Sequence, residues 1–345
     1  MPALNKKKAS GREQLARLKR EHQKRPLYAT HTRNQQRNAD EATPEVQATW
    51  FENMKKVMNE IDWATDGGAL PREGPLHFLD LGCGCCPGGF SSYILKKNSN
   101  ACGVGVSLPS GHDYLLEEEF RPRNELCWAD LLRYPMQESR YGARAKGFDD
   151  MPWGLRCRHF DLVVLDGHPL RSQKADTSNV GPRLLITQLL IALQTVRRGG
   201  TIIAKLSGVH RPDTQAILWM LEALSDRLTT CKPVSMHATR DTFYVVAEGM
   251  QKEGWVGMDV DGGRYARVLG IEEVIHGLEE RWAHVTFGGG KRIAEGRMWE
   301  AVGCGEGDKV AFRKRMDELA EPVVLVQRLA LEGLAKEEKA RPEDM

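Results

Sequence analysis

The 345-residue sequence lacks any run of about 18 or more apolar residues, which is the length that a membrane-spanning helix requires. Its most apolar segment, from Leu184 to Val196, is interrupted by Thr187, Gln188, Gln194 and Thr195. The first residues, MPALNKKKASGREQ, lack the apolar stretch of a secretory signal peptide. We therefore expect an intracellular protein, nuclear or cytoplasmic, that is neither secreted nor inserted in a membrane.

The sequence also lacks the cysteine spacings that are typical of zinc sites and disulfide frameworks. Only Cys83, Cys85 and Cys86 of its eight cysteines cluster, and the single Cys-x-x-Cys spacing, from Cys83 to Cys86, has no second such pair to complete a zinc site. The adjacent Cys85 and Cys86 cannot readily bond to one another, so a reducing compartment is expected. We predict no metal site, because cysteine also supplies the small side chain needed where a backbone approaches a ligand.

Acidic residues are scarce at the start of the chain. Before residue 41 there are eleven Lys or Arg and three Asp or Glu, although the net charge of the whole sequence is only +2. Such a basic segment suits an anionic partner such as nucleic acid, and a solvated tail is the alternative. We predict that residues 1–43 form a basic, mostly disordered arm with a helix around Arg12 to His22.

From Pro44 onward, strand and helix patterns alternate. A helix capped by Thr43 precedes predicted strands at 76–81, 101–108, 125–130, 159–167, 201–207 and 243–249, with helices at 89–97, 184–196 and 213–228. This alternation predicts an α/β, Rossmann-like domain over residues 44–250, with a mostly parallel sheet and helices on both faces. Such sheets bind ligands beyond the carboxyl ends of their strands.

The last part of the chain, residues 251–345, is predicted to be a mixed, mainly helical extension. The segment GMDVDGGRYARVLG (257–270) suggests a short hairpin, and helices are predicted at 271–282, at 309–319 and in the charged C-terminal segment. These patterns indicate no function for the extension.

The segment FLDLGCGCCPGGF (78–90) joins a predicted buried strand to a glycine-rich loop. Glycine allows sharp turns and close approach to a ligand, and the absence of Gly-Lys-[Ser/Thr] excludes a P-loop. NAD, FAD, another nucleotide and S-adenosylmethionine remain possible ligands, as does a purely structural turn. Asp80 before the glycines and Ser107 at the end of the second strand, where a dinucleotide site needs an acid, favour S-adenosylmethionine.

Charged residues follow apolar runs at the ends of three other predicted strands. These are Asp130 after ELCWA, Asp166 after LVVL, and Lys205 within TIIAKLS. A charge in such a position is costly to bury without a partner. Each is a candidate for the ligand cleft, and a solvated strand end is the alternative reading.

Taken together, D-L-G, P-G-G-F, the Asp at the third strand end, LVVLDG and GGTIIAKL resemble the FtsJ-like ribose 2′-O-methyltransferases over about residues 43–249. The resemblance implies a Rossmann-like fold, S-adenosyl-L-methionine as cofactor, and methylation of a ribose hydroxyl in RNA. It implies that Lys205 and Asp166 are catalytic, with Lys56, or alternatively Lys55, as a second lysine. The cofactor-binding residues are then Asp80, Gly82, Gly88, Gly89, Phe90, Ser107, Asp130 and Asp166.

The sequence departs from the family pattern at two catalytically relevant places. Four residues separate Gly82 from Pro87 where the family usually has two, and Thr242 occupies the position of the family's last catalytic Glu. Asp241 is the neighbouring carboxylate that we assign as its replacement, although adjacent strand residues point to opposite faces.

The residue types fit methyl transfer from a sulfonium, which needs in-line positioning and a base for the hydroxyl proton. A lysine whose pKa is depressed by a second cation, Lys56, is such a base, and Asp166 orients it. Phosphate contacts are expected from the basic arm and from Arg121, Arg123, Arg171 and Arg183. Two alternatives remain: a cofactor-binding but inactive RNA-binding or scaffold homologue, and a methyltransferase acting on protein or a small molecule.

Overall fold

The computed structural model describes residues 11–25, 28, 33, 42–83, 88–109, 114–134, 136, 148–152, 155, 159–169, 179–256, 259–260, 263–264, 267–288 and 296–340. The predicted positions Cys85, Cys86 and Arg171 lie outside these residues. No helix among the described residues is long and apolar enough to span a membrane.

Seven strands form the central sheet. They are β1 (Leu76–Leu81), β2 (Ala101–Ser107), β3 (Asn124–Trp128), β4 (Phe160–Leu165), β5 (Val196–Ser207), β6 (Arg227–Cys231) and β7 (Thr242–Glu248). Their order is β3-β2-β1-β4-β5-β7-β6, and β7 pairs antiparallel with both β5 and β6. The other neighbouring pairs are parallel, so the strands β1 to β5 end at one edge of the sheet. The predicted mostly parallel α/β sheet is confirmed.

The helices are α1 (Gly11–Gln23), α2 (Pro44–Ala64), α3 (Gly89–Lys97), α4 (Val180–Thr195), α5 (Pro212–Ala223), α6 (Val234–His237), α7 (Ile271–Phe287), α8 (Met298–Ala301) and α9 (Glu306–Ala340). Two short 3₁₀ helices cover Glu118–Arg123 and Leu131–Arg133. The predicted cap of α2 is present, since the hydroxyl of Thr43 accepts from Val46 N at 3.4 Å. Short antiparallel pairs join β8 (Glu253–Val256) to β11 (Arg267–Gly270) and β9 (Asp259–Val260) to β10 (Gly263–Arg264), in the segment predicted as hairpin-like.

Alternating strand residues fill two separate cores. One face of the sheet packs against α2 and α3 through Phe78, Leu162, Val164, Ile203, Tyr244 and Val246. The opposite face packs against α4, α5 and the C-terminal helices through Leu79, Leu81, Val163, Leu165, Ile202, Ala204, Phe243 and Val245. Burial on both faces explains why these strands are almost continuously apolar.

The C-terminal helices share the core of the sheet. Trp282 of α7 is buried and donates through Nε1 to Thr187 Oγ1 of α4 at 3.0 Å. Thr230 Oγ1 of β6 donates to Leu319 O of α9 at 2.7 Å, and Arg315 of α9 donates to Leu228 O at 2.8 Å. The predicted separate helices at 309–319 and at the C-terminus are one continuous helix, α9.

Two sequence-based boundaries are wrong. The helix predicted over 213–228 ends at Ala223, and residues 227–231 instead form β6, which pairs with β7 from Arg227–Glu248 to Cys231–Tyr244. The predicted third strand ends at Trp128 rather than near Asp130. In the first case, pairing with a strand that follows later in the chain overrides the local helical pattern.

Two arginines predicted to contact phosphate instead hold the fold together. The guanidinium of Arg123 donates to the carbonyl oxygens of Leu95, Asn98, Ser99 and Ala101, at 2.9–3.2 Å. Arg183 is partly buried over the rings of Phe148 and Trp282 and donates to Leu132 O. Arg121 donates to Leu116 O at 3.3 Å. These intramolecular contacts explain the arginines at 123 and 183 without an RNA partner.

Candidate functional site

The turn after β1 brings two strand ends into backbone contact. Gly82 has a φ of 91°, and a Cβ atom there would lie 2.3 Å from Gly167 Cα. Leu81 O accepts hydrogen bonds from Asp166 N at 3.0 Å and from Gly167 N at 2.9 Å. Only glycine fits at position 82, because any side chain would separate the ends of β1 and β4.

The glycines at the start of α3 also permit close packing. Gly88 has a φ of 89°, and a Cβ atom there would lie 2.7 Å from the Tyr114 ring. A Cβ atom on Gly89 would lie 2.6 Å from Phe51 O in α2, so the start of α3 touches α2 directly. Phe90 packs edge-on against Tyr244, with ring centroids 5.8 Å apart. The segment from Gly88 to Phe90 thus contacts both α2 and β7.

Asp80 is a buried carboxylic acid behind the glycine loop. Asp80 is 1% exposed, and its Oδ2 accepts a hydrogen bond from Ser91 Oγ at 2.8 Å. Its Oδ1 is buried without a hydrogen-bond partner among the described residues. Burial, with a further contribution from the negative charge of Asp166, raises the pKa of Asp80 to about 7. A cationic ligand group above the loop would satisfy this oxygen.

The sequence-predicted pair Lys205 and Asp166 is brought together at the carboxyl ends of β5 and β4. Lys205 Nζ lies 3.1 Å from Asp166 Oδ1, donates to Asp166 O, and is 3.4 Å from His168 Nδ1. The side chain of Lys205 is 15% exposed and that of Asp166 is 3% exposed. A nearly buried ion pair of this kind needs additional hydrogen bonds to be tolerated.

Tyr244 supplies such a bond, and no argument from the sequence assigned it a role. Its hydroxyl donates to Asp166 Oδ1 at 2.7 Å, because β7 runs antiparallel to β5 and pairs Tyr244 with Lys205. His237 of α6 lies beside Tyr244, with ring centroids 6.0 Å apart. Burial, and next the positive charge of Lys205, lower the pKa of His237 to about 3, so this ring is neutral. The only sequence signal for Tyr244 was its place in the last family motif.

Strand register places Thr242, and not Asp241, beside the catalytic candidates. Ser207 pairs with Thr242 and Lys205 with Tyr244, so all four side chains lie on one face of the sheet. The carboxylate of Asp241 instead forms an ion pair with Lys19 of α1 at 2.5 Å and accepts from Gln327 of α9 at 2.9 Å. These contacts argue against the predicted catalytic role of Asp241.

Of the two candidate lysines in α2, Lys55 forms ion pairs with Glu52 and Glu117. Its Nζ lies 3.1 Å from Glu117 Oε1, which also accepts from Ser92 Oγ of α3 at 2.9 Å, and 3.0 Å from Glu52 Oε1. Burial acts to lower the pKa of Lys55, but the hydrogen bonds to Glu52 and Glu117 raise it overall. Lys55, in its ammonium form, is therefore linked through Glu117 to α3, whereas the predicted Lys56 is exposed.

The remaining predicted cofactor residues lie at the ends of β2 and β3. Ser107 is buried, and its carbonyl accepts from Ala129 N at 2.7 Å. Asp130 is partly exposed and caps the following 3₁₀ helix, since its Oδ1 accepts from Leu132 N at 2.9 Å. The capping bond uses Oδ1 only, so Oδ2 of Asp130 can accept a further hydrogen bond at the sheet edge.

We expect Asp80→Asn to change how stability depends on pH. In the unfolded chain the Asp80 pKa is near its ordinary value of 3.8, and in the fold it is about 7. The stability contributed by the protonated carboxyl is therefore complete below about pH 4 and is lost as pH rises through 7. Without cofactor, the melting temperature of Asp80→Asn relative to wild type should rise by about 3 °C or more between pH 5 and pH 8. Parallel melting curves for the two proteins across this range would contradict a buried, protonated Asp80.

The described residues contain no candidate metal site. Within the described residues, no group of three or more His, Cys, Asp or Glu side chains is arranged to hold a metal ion. Cys83 is buried with its Sγ facing Gly105, where an added Cβ atom would lie 2.8 Å away. This cysteine therefore fills space between the first two strands.

Comparison with known proteins identifies the family. The sequence profile of the FtsJ-like methyltransferases matches residues 61–250, more than half of the chain. The cap-specific mRNA (nucleoside-2′-O-)-methyltransferase 1 of Bos taurus is 28% identical over 200 residues, which cover 53% of this chain and 22% of the relative. The corresponding protein of Danio rerio is 26% identical over 201 residues, covering 54% of this chain and 23% of the relative. The chain therefore matches less than a quarter of the length of these relatives.

Solved structures resemble the chain only distantly. A ribosomal RNA methyltransferase from Plasmodium falciparum has 19% sequence identity and a TM-score of 0.38, covering 57% of this chain and 96% of that one. The fibrillarin/Nop5p complex has 14% identity and a TM-score of 0.37, covering 57% of this chain and 83% of that one. S-adenosyl-L-methionine is the cofactor of the matched family, as the sequence predicts. The profile match, the strand order and the glycine turn together place this chain in the FtsJ-like methyltransferase family.

Proposed function

We propose that this chain transfers a methyl group from S-adenosyl-L-methionine to the ribose 2′-hydroxyl of an RNA, with Lys205 as general base. The observation that carries the proposal is the Lys205–Asp166 pair, 3.1 Å apart at the carboxyl edge of the sheet and adjacent to the glycine turn. Ligands of such α/β sheets bind at this edge. The pair therefore lies where the reacting atoms of a bound donor and acceptor would meet.

The residues around the glycine turn fit the proposed cofactor. Asp80 Oδ1 is a buried acceptor without a partner among the described residues, and the cofactor carries an ammonium and a sulfonium group. Gly82 and Gly88 have no room for side chains because Gly167 and Tyr114 pack against them, and their positive φ gives the sharp turn of a ligand-binding loop. Asp130 and Ser107 lie at neighbouring strand ends, where an acceptor for the nucleoside half of the cofactor is expected.

S-adenosyl-L-methionine bound at this edge would supply a methyl group activated by its sulfonium, with a neutral thioether as the leaving group. The chain must therefore orient the 2′-hydroxyl and accept its proton. Lys205 Nζ takes that proton when it is in its neutral amine form, and becomes an ammonium that Asp166 stabilises. No further activation of the methyl group is needed.

The contacts of Lys205 support a binding position for the acceptor hydroxyl beside Nζ. Asp166 contributes both Oδ1 and its carbonyl oxygen to Nζ, whereas His168 Nδ1 is a longer contact at 3.4 Å. The His168 contact is the one most readily replaced by a substrate hydroxyl. Tyr244 also holds Asp166 Oδ1 through its 2.7 Å hydrogen bond, so the carboxylate stays aligned while the hydroxyl binds.

RNA is proposed as the acceptor from the family and its relatives. The curated relatives that match this chain are cap-specific mRNA methyltransferases acting on a nucleoside 2′-oxygen. Because the match covers less than a quarter of their length, the site within the RNA is not assigned.

One observation favours a second function. Thr242 lies on the same sheet face as Lys205, at the position where the family has its last catalytic Glu, and a threonine hydroxyl cannot carry the negative charge of that carboxylate. An inactive homologue that binds the cofactor and RNA as a scaffold would tolerate this replacement. Such a protein would bind cofactor without methyl transfer.

The proposal is tested by incubating the full chain with methyl-labelled S-adenosylmethionine and total RNA. We expect label in the RNA fraction that becomes acid-soluble after ribonuclease digestion. Cofactor binding without any transfer would support the scaffold function instead. Label that resists ribonuclease and is released by protease would indicate a protein methyltransferase.

A further inference from the structure

We infer that a cluster of cationic side chains beside the Lys205 cleft binds the phosphate groups of the RNA, an inference that rests on the proposed function. We call it the rim cluster, and it consists of Arg12, Lys19 and Arg240, which lie around the partly buried His210 and the buried Lys232. Its members come from α1 and from the β6–β7 connection, and nothing in the family resemblance assigns them a role.

Helix α1 is fixed against the body of the protein at this place. Leu15 is buried in the core shared with α9, and Leu18 packs against the same core. On the adjoining side of α1, Lys19 Nζ pairs with Asp241 Oδ1 at 2.5 Å. Part of the basic N-terminal segment is therefore a docked helix and not a free arm.

The docking point of α1 adjoins the catalytic strand. Asp241 O accepts from Gly208 N at 3.0 Å, and Ser207 pairs with Thr242. Ser207 is two residues beyond Lys205 on β5, a rise of about 7 Å along a strand. The rim cluster thus begins about one nucleotide's length from the proposed base.

Positive charge exceeds negative charge at the rim. The positive charges of Arg12 and Lys19 both act on His210, whose pKa is lowered by burial first and then by these cations, against a raising effect of Asp317. Burial lowers the pKa of Lys232 to about 7; Asp241 opposes this shift, and Lys19 and Arg240 add to it. The anions among these neighbours are Asp241 and Asp317, against three cations from Arg12, Lys19 and Arg240.

Arg240 connects the rim to the reaction centre. It is exposed at the end of the β6–β7 connection, and its charge acts on both Lys232 and the buried His237 beside Tyr244. Its backbone carbonyl is held by Lys232 Nζ, which also donates to Thr242 O at 2.6 Å. Lys232 therefore fixes the backbone of this connection, and the Arg240 side chain is exposed.

The chemistry of the rim suits a phosphodiester backbone. Guanidinium and ammonium groups bind phosphate through charge-assisted hydrogen bonds, and such contacts supply most of the affinity for nucleic acids. The apolar residues of α1, Leu15 and Leu18, are packed inward, so the surface of α1 presents charge and little apolar area. An apolar or membrane-inserting partner is therefore disfavoured relative to RNA.

The test compares the double variant Arg12→Gln/Arg240→Gln with Arg17→Gln. Arg12 and Lys19 are seven residues apart and lie on one side of α1, whereas Arg17 lies on another side, paired with Glu21. Binding of a fluorescent single-stranded RNA is measured by anisotropy between 50 and 200 mM KCl. We expect the double variant to bind about tenfold more weakly, with a salt slope reduced by about 1.4, whereas Arg17→Gln should match wild type.

Three outcomes separate this inference from the proposed reaction. Equal affinity and equal salt slope in the double variant and Arg17→Gln would overturn the rim cluster, even if the wild type methylates RNA. The expected loss of affinity would support the cluster, even if no methyl transfer occurs. A wild type that does not bind the RNA would overturn the inference directly. Thermal melting of each variant confirms that α1 remains docked.

Discussion

Lys205→Met is expected to lower the rate of methyl transfer by about 10²- to 10⁴-fold, the range over which general bases contribute. The variant removes the amine that takes the 2′-hydroxyl proton and leaves the apolar part of the side chain in place. The affinity for S-adenosylmethionine should stay close to that of wild type, because Lys205 contacts Asp166 and His168 rather than the glycine turn. Single-turnover kinetics and equilibrium cofactor binding measure the two quantities separately.

Lys205→Arg distinguishes a base from a fixed positive charge. Arginine keeps a cation beside Asp166 but cannot be deprotonated in proteins, so transfer should be as slow as in Lys205→Met. Lys96 is an exposed lysine at the end of α3, so Lys96→Met is the control for replacing a lysine by methionine outside the site. Recovery of near wild-type rate in Lys205→Arg would show that Lys205 only supplies charge.

Gly82→Ala is expected to have the largest effect of any single methyl group added to the site. The added Cβ atom would lie 2.3 Å from Gly167 Cα, so the ends of β1 and β4 must move apart. The positive φ of 91° adds roughly 1–2 kcal/mol of strain. We expect cofactor affinity to fall more than about tenfold and the melting temperature to drop by about 5 °C or more.

Gly74→Ala provides a matched control for this variant. Gly74 has a φ of 78°, and nothing lies within 4 Å of a Cβ atom added there. The control therefore carries the backbone strain of an alanine at positive φ without the collision. Cofactor affinity in Gly74→Ala should equal that of wild type, and an equal loss in both variants would show that strain, and not the contact between β1 and β4, limits the site.

The sheet and the glycine turn were predictable because their signals are local. Leu76–Leu81 and Phe160–Leu165 are buried on both faces apart from His77, which makes them short, mostly apolar runs that can be recognised in isolation. The positive φ at Gly82 and Gly88 requires glycine whatever the rest of the chain does. Asp166 and Lys205 were found because a charge at the end of such a run needs a partner.

The contacts that complete the site were not predictable, because they depend on residues far apart in the chain. The bond between Tyr244 and Asp166 spans 78 positions and follows only from the antiparallel register of β5 and β7. The ion pair that takes Asp241 away from the catalytic face depends on α1, more than two hundred residues earlier. Likewise, the predicted helix over 213–228 ran into the first two residues of β6, a strand that was not predicted and that depends on its pairing with β7.

The position of the methyl group in the product shows most directly whether this chain methylates the ribose 2′-oxygen. RNA methylated by the full chain is hydrolysed in alkali, which cleaves only beside a free 2′-hydroxyl, and the label is then followed by chromatography. We expect label in alkali-resistant dinucleotides, and at equal reaction times about 10²- to 10⁴-fold less of it with Lys205→Met. Label recovered entirely in mononucleotides would place the methyl group on a base and contradict the account.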